Sequence, residues 1–516
     1  MRFRKLILGN LDIFILLALV IFVAYFKIFF AGFISGDDFV GFMQNPITHD
    51  LTGAYKSLIL HSIYYATAFK LFGYSTFVMH TVSFTLHVVI TWLVFILMYI
   101  MFDKRVALIT AFLFAVHPVN SEAASWVSSV GYLINGIFAF TTLIFYSLYK
   151  KTATQKYFWL SAALYGLALI FVRSPWVVST FAALVFLDQF VFEKKLNFKA
   201  GAKYLPFIVA SLVYGILFLK QGAATRVTEL SATFGLDATP LFNRLPYTIY
   251  MMLKLYLLPK GLSIFHEGLG ISTTSYTVMI VSSLAFGMWL IYAWKKHRVL
   301  AGLSLAMVSS ILPTFSPVQV AFFIAERYMY FGTAFFSAIV AILIVKAQEK
   351  FKHKDLALTL TIALVILYAL RTFVRINDWQ NSKNLWLATS KVEPTSARVF
   401  NNLGDAYGNE QNFQKSVEAF QRAIELQPNY ADALHNLGNT YLQLGQLDLA
   451  EKYLMQSWQA NPYLYQATFK LGIIEYQKGN LDKALDYFTK TAKLNPNYPE
   501  AQQAIQIVNG LKSQRP

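Results

Sequence analysis

Residues 10–38 read NLDIFILLALVIFVAYFKIFFAGFISGDD. A long apolar run, broken only by Asp12 and Lys27, ends in two adjacent carboxylates, Asp37 and Asp38. A helix rises about 1.5 Å per residue, so roughly 20 apolar residues cross a hydrocarbon core about 30 Å thick. The run predicts a membrane-crossing helix over residues 10–33. It is too long, and lacks the small-residue cleavage site, for a removable signal peptide. Two carboxylates at the interface behind it are costly unless solvated, paired or used in chemistry. Aspartate is also a favoured helix N-cap, so capping and function both stay open at this point.

The same pattern recurs outward from that stretch. Further spans are expected near 77–101, 106–118, 130–149, 157–172, 176–192, 204–220, 274–294, 299–315, 328–346 and 356–374, making about eleven. Residues 246–259 are apolar but interrupted by Lys254 and bounded by Pro246 and Pro259, which predicts an interfacial or re-entrant helix. The composition agrees: 56% of the 516 residues are hydrophobic and 14% charged, against about 45–50% and 25% in soluble proteins. The chain has no cysteine, which excludes disulfides, thiolate metal sites and cysteine nucleophiles. Its net charge of +17 lies wholly before residue 376, because residues 376–516 hold 13 basic and 13 acidic side chains. A basic excess confined to the apolar region argues against a nucleic-acid partner. Placing the N-terminus inside puts MRFRK, DKR, KKTATQK, EKKLNFKAGAK, KKHR and KAQEKFKHK on the cytoplasmic face, as the positive-inside rule asks. Eleven spans then put the C-terminal region outside.

That region is periodic. Pro394, Pro428, Pro462 and Pro496 are each 34 residues apart, as are Leu403-Gly404, Leu437-Gly438 and Leu471-Gly472. Tyr407 and Tyr441 each follow the glycine by three, and Phe420, Leu454 and Phe488 recur later. This is the helix-turn-helix signature of tetratricopeptide repeats (TPR). The domain reading is therefore all-α: a polytopic membrane domain over 1–375, a linker over 376–393, and an α-solenoid of three repeats over 394–516. Residues 499–510 are expected to cap the last repeat. Asn402 and Asn436, with Asp405 and Asn439 a turn on, are expected on the first helices of their repeats. Amides there can hold an extended peptide backbone; a solvated helix surface is the plainer alternative.

Several polar residues fall in or beside apolar runs on the expected outer face. In the stretch from His117 to Trp126, Asn120 or Ser121 could cap a short helix, with Glu122 favourable near its positive end. Ala325-Glu326-Arg327-Tyr328 precedes the tenth span; the Glu-Arg pair could neutralise itself, or Arg327 could meet an anion. Arg173 could do the same or snorkel to head groups. His80 and His87 share a face of the second span and favour interhelical hydrogen bonding over catalysis.

Taken in order, these motifs resemble a known family, the transmembrane-and-TPR-repeat O-mannosyltransferases of the GT-C superfamily. The resemblance runs nearly end to end: Asp37-Asp38 with Asn45-Pro46, Phe72-Gly73 with His80 and His87, FAVHPVNSEAASW, LKLYLLPKGLS, AERYMYF and LRTFVRINDWQNSKNLW. It departs at Arg173-Ser174, where the family often has Lys-Glu, near Val130, where an arginine is expected, and at Tyr55-Lys56-Ser57-Leu58. The resemblance implies an inverting, membrane-bound glycosyltransferase with a polyprenyl-phosphate sugar donor, such as polyprenyl-phosphate-mannose, and Ser/Thr acceptors presented by the TPR domain. It implies Asp37, Asp38 and Glu122 as catalytic residues, Arg327 and Arg173 at the donor phosphate, and His117, Glu326 and Lys56 in support. A divalent metal is left open. The active face would be periplasmic or extracellular, or the endoplasmic reticulum lumen in a eukaryote. The competing expectations are an enzyme acting on envelope glycans or lipids, a lipid-linked sugar transporter, and a non-enzymatic membrane scaffold.

Overall fold

The computed structural model describes residues 8–34, 38, 42–193, 198–220, 241–267, 272–315, 322, 324–353 and 355–513. Asp37 lies outside the described residues. The chain divides into two compact units, Met1–Asn381 and Ser382–Pro516. Among the described residues there is no strand, and the only β-type pairing is one antiparallel bridge between His266 and Ile324.

Every apolar run foreseen from the sequence lies on a helix. In unit 1 these are α1 (Leu11–Tyr25), α2 (Thr76–Met101), α3 (Lys104–Val116), α4 (Ser121–Ser125), α5 (Val130–Thr152), α6 (Gln155–Phe171) and α7 (Trp176–Leu187). They continue as α8 (Leu205–Lys220), α9 (Leu241–Leu257), α10 (Thr273–Lys296), α11 (Arg298–Ser309), α12 (Glu326–Phe351) and α13 (Leu356–Arg375). Side-chain caps set several starts. Asp103 accepts from the Val106 amide at 2.9 Å, and Ser272 from the Ser275 amide at 3.1 Å, each satisfying a first-turn N–H that has no partner within the helix.

By length and composition, six helices can cross a membrane among the described residues, and a seventh if a bent pair counts as one span. The expected eleven is thus not reproduced. The runs at 176–192, 204–220 and 299–315 form shorter apolar helices, and 106–118 is half of the bent pair. In that pair Lys104–Val116 meets Pro118–Ser125 at 51°. Proline lacks the N–H that would continue the helix, and it bends the chain there. Residues 117–126, expected as an outer loop, are instead buried in the unit. In residues 246–259 Pro246 lies inside α9, and Tyr247, Met252, Leu255 and Tyr256 are buried, which disagrees with the interfacial alternative and leaves the re-entrant one.

Helix α12 runs through the core of unit 1, with every residue from Glu326 to Ala338 buried. Gly332 permits that depth, because a Cβ there would lie 2.4 Å from the Tyr256 hydroxyl and 2.8 Å from the Met307 carbonyl. Conversely, α10 and α13 expose rows of apolar side chains, among them Val281, Leu284, Met288, Leu367 and Leu370. Apolar surface on that scale suits lipid better than water.

Unit 2 begins within the expected linker. Residues 376–381 belong to unit 1, where Trp379 is fully buried and the Gly32 amide donates to the Gln380 carbonyl at 2.9 Å. Ser382–Val392 (α14) is a helix of unit 2. The repeats follow as α15 (Ala397–Asn409), α16 (Phe413–Leu426), α17 (Ala431–Gln443), α18 (Leu447–Ala460), α19 (Tyr465–Gln477) and α20 (Leu481–Leu494). The terminal helix α21 (Pro499–Ser513) packs Val508 against Leu481, Ala484 and Phe488, as a solenoid cap should. The repeating glycines mark close approach: a Cβ on Gly438 would meet Leu454 Cγ at 2.7 Å and the Ala450 carbonyl at 3.2 Å.

Gly438→Ala is expected to destabilise unit 2 by about 1–3 kcal/mol through overpacking. Gly510→Ala, where nothing stands within 4 Å, should stabilise α21 by roughly 0.5–1 kcal/mol. Amide hydrogen exchange across Ser382–Pro516 measures both.

Candidate active site

Two buried carboxylates of unit 1, Asp38 and Glu122, each take partners far from them in sequence. Asp38 is fully buried. Its Oδ1 accepts from the Ser128 amide at 3.0 Å and the Ser128 hydroxyl at 2.5 Å, and its Oδ2 from the Ile34 amide at 2.8 Å. Ser128 lies in the short turn Val127–Ser129, two residues beyond Trp126. Asp38 thus fastens the segment after the first helix onto the turn between α4 and α5.

Glu122 sits on α4, also fully buried, and meets Arg327 at the start of α12. The Arg327 amide donates to Glu122 Oε2 at 2.8 Å and its Nη1 to Glu122 Oε1. The same Nη1 reaches the Ile264 carbonyl at 3.1 Å, while the guanidinium lies 5.1 Å from the Trp126 ring centroid and 5.0 Å from that of Tyr328. Glu122 does lie in the first turn of α4, and it also takes a partner 205 residues away in Arg327. Arg327 pairs with Glu122, and Glu326 does not pair with its neighbour.

Glu326 instead accepts from the Ser263 amide at 2.5 Å and faces Arg375 Nη2 at 3.6 Å. Arg375 is fully buried, donates to Asp378 at 2.9 Å and lies 5.5 Å from the Trp379 ring. Trp379 stacks on Trp126 at 6.2 Å, which closes a ring of contacts back to Arg327. The bridge from His266 to Ile324 holds residues 263–266 beside the start of α12. Arg375 was not among the expected site residues. Its signal was the LRTFVRINDW motif, in which it is the second arginine.

The remaining candidates separate. His117 is buried and committed: Nδ1 accepts from the Val119 amide at 3.3 Å, and Nε2 donates to the Tyr256 carbonyl at 3.2 Å. It supports the bend between α3 and α4. Arg173 lies just beyond the end of α6, is exposed, has a φ of 51°, and donates to the Ile170 carbonyl of α6 at 3.2 Å. Lys56 is exposed on the helix Leu51–Ser57. His87 does make the expected interhelical bonds, to the Tyr330 hydroxyl at 2.7 Å and the Ala115 carbonyl at 3.0 Å. His80 is buried beside the backbone of Ala31 and Gly32. Among the described residues no group of three His, Asp or Glu side chains is placed to hold a metal ion.

In unit 2, Asn402 and Asp405 lie half-buried on α15, and Asn436 and Asn439 half-buried on α17. Asn436 donates to the Asn401 side chain at 3.1 Å, so part of the expected ladder bonds between repeats. Sequence reading passed over His435 beside them. Burial first, and then the charge of Lys470, push its ring down to about 4.

Two tests follow from these placements. Glu122→Ala leaves the Arg327 charge buried and uncompensated, which should cost about 3–5 kcal/mol. Adding Arg327→Met should restore part of that loss in thermal unfolding of the solubilised chain. For His435, the unfolded chain binds the proton more tightly than the folded one between about pH 4 and 6.5. Its contribution to unit 2 is therefore present above pH 6.5 and is lost as pH falls towards 4. Comparing wild type with His435→Gln across that window isolates the effect.

Comparison with known proteins supplies independent information. Two tetratricopeptide-repeat families match, over residues 395–460 and 437–499. The chain is 22% identical over 384 residues to "Protein O-mannosyl-transferase TMTC3" of Homo sapiens, covering 67% of this chain and 42% of that protein. It is 26% identical over 386 residues to "Protein O-mannosyl-transferase F38B6.6" of Caenorhabditis elegans, covering 69% and 52%. A shorter stretch of 133 residues is 30% identical to "Protein O-mannosyl-transferase TMTC2" of Mus musculus, covering 25% and 16%. The chain spans about half the length of the relatives it matches most extensively. Those longer alignments exceed what Ser382–Pro516 could supply, so the likeness extends beyond the repeats into unit 1. The chain is therefore a homologue of proteins named protein O-mannosyl-transferases, and tetratricopeptide repeats make up its C-terminal unit.

Proposed function

We propose that this chain is a membrane-bound glycosyltransferase that moves a sugar, mannose by its relatives' names, from a polyprenyl-phosphate carrier to Ser or Thr hydroxyls of proteins. The observation that carries the reading is the buried Glu122–Arg327 pair in the same unit as the buried Asp38, which bonds Ser128 six residues beyond Glu122, in a unit whose homologues are named protein O-mannosyl-transferases. In the proposed step the acceptor oxygen attacks the anomeric carbon and forms the new C–O bond. The bond from that carbon to the phosphate oxygen breaks, and the polyprenyl phosphate leaves with the electron pair. A single displacement inverts the anomeric centre.

The hydroxyl proton goes to a carboxylate. Asp38 is held by three donors and fully buried, which suits an anchor for the segment. The adjacent Asp37 is then the base, a role worth about 10²–10⁴-fold in rate. The Glu122–Arg327 pair keeps the polar start of α12 in place. The TPR unit presents the acceptor protein, with Asn402, Asp405, Asn436 and Asn439 contacting its backbone. A multi-pass placement with the N-terminus cytoplasmic, and with both Asp37 and the repeats on the opposite face, is part of the same proposal, supported by the charge asymmetry of the loops.

Asp37→Asn should lower transfer at least about 100-fold while the protein still inserts and purifies as wild type. O-glycopeptide mass spectrometry of cells carrying either form reads the result, and unchanged O-glycans would remove Asp37 from the mechanism. Deleting residues 382–516 should abolish protein glycosylation; an enzyme for envelope glycans would keep its activity without the repeats.

A further inference from the structure

The leaving phosphate needs a cation, and the structure distinguishes sharply among the arginines. Arg327 is nearly fully buried, with one terminal nitrogen shared between Glu122 and the Ile264 carbonyl and aromatic rings around the rest. Arg173 stands exposed just beyond the end of α6. Arg371 differs from both. It is half-buried on the last turns of α13, and its Nε donates to the Pro259 carbonyl at 3.2 Å. Among the described residues it forms no ion pair.

One turn beyond it is Arg375, on the same helix face. Like charges at that spacing repel; Asp378 and Glu326 offset the charge of Arg375, while Arg371 has only the Pro259 carbonyl as a hydrogen-bond partner among the described residues. Arg375 is only partly satisfied. Its Nε and Nη2 have no hydrogen-bond acceptor although the residue is fully buried, and Oε2 of Glu326 opposite is likewise without a donor. Buried polar groups are rarely left so. Two motifs meet here that carry no role in the transfer step above: LKLYLLPKGLS, which contributes Pro259 and the exposed Lys260, and LRTFVRINDW, which contributes both arginines.

The surroundings fit an amphiphile. Leu257, Leu258, Leu367, Leu370 and Val374 present exposed apolar surface around the Arg371–Pro259 contact. The link from Arg375 to Glu326 places the arginine pair beside Arg327 and Glu122. A phosphate held at Arg371 would thus have its hydrocarbon chain against apolar surface and its sugar towards the buried polar cluster.

We propose that Arg371, backed by Arg375, binds the phosphate of the lipid-linked donor. Guanidinium suits this task, since its planar fork meets phosphate oxygens with paired, charge-assisted hydrogen bonds. The inference rests on the donor class proposed above, and it moves the phosphate away from Arg327 and Arg173.

The test uses the full chain in nanodiscs of neutral phosphatidylcholine, with farnesyl phosphate as the probe, farnesol as the uncharged control and phosphatidylglycerol as a second source of phosphate. Wild type should bind farnesyl phosphate at least about tenfold more tightly than farnesol, a difference of roughly 1.4 kcal/mol. Arg371→Gln should lose that difference without changing farnesol binding. Arg371→Lys should recover part of it, and Arg173→Gln should bind as wild type. Retained farnesol affinity shows that the variants are folded. If wild type does not distinguish the phosphate from the alcohol, the donor reading fails and this site with it. If wild type distinguishes them and Arg371→Gln does so equally, only this assignment is overturned. A preference for phosphatidylglycerol over farnesyl phosphate that disappears in Arg371→Gln also overturns it, making Arg371 a head-group anchor.

Discussion

The buried pair of Glu122 and Arg327 is the constraint on which the rest of unit 1 depends. Neither charge can be tolerated alone at that depth, because removing an ion from water costs several kcal/mol unless a partner and further hydrogen bonds replace the lost solvation. Each element nearby answers that requirement. The bend after Val116 turns α4 inward so that Glu122 reaches α12. The bridge from His266 to Ile324 brings the Ile264 carbonyl to the guanidinium. Trp126 and Tyr328 cover it with π-faces, which attract a desolvated cation.

A second acid–base pair repeats the design less completely. Glu326 and Arg375 face each other at 3.6 Å, with Asp378 and the Ser263 amide completing part of their hydrogen bonding. The first pair is closed and holds the shape of the unit. The second keeps unsatisfied donors and an unsatisfied acceptor, and Arg371 beside it forms no ion pair among the described residues.

The two units were readable from sequence to different depths. In the repeats, Gly404, Gly438 and Gly472 appear where helices touch, and the contacts they permit lie within about one repeat of chain. A period of 34 residues therefore reports the packing almost directly. In unit 1 the apolar runs announced helices but not how far each extends. The run at 106–118 has ordinary membrane-span hydrophobicity, yet Pro118 bends it and carries residues 119–126 into the interior. Residues 376–393 are the expected linker, but Trp379 fills a core site and Ser382–Val392 is a helix.

By itself the sequence determined that the protein is helical throughout, that its basic excess belongs to the apolar part, and that its tail is a repeat array. These are properties of composition and local period, set by residues within a few turns or one repeat of each other. Only the tertiary structure decided who partners whom. Glu122 and Arg327 are 205 positions apart, Asp38 and Ser128 are 90, and Glu326 chooses Arg375 over the arginine next to it. Such pairings follow from how helices cross and bend around a low-dielectric interior, and no period in the chain encodes them.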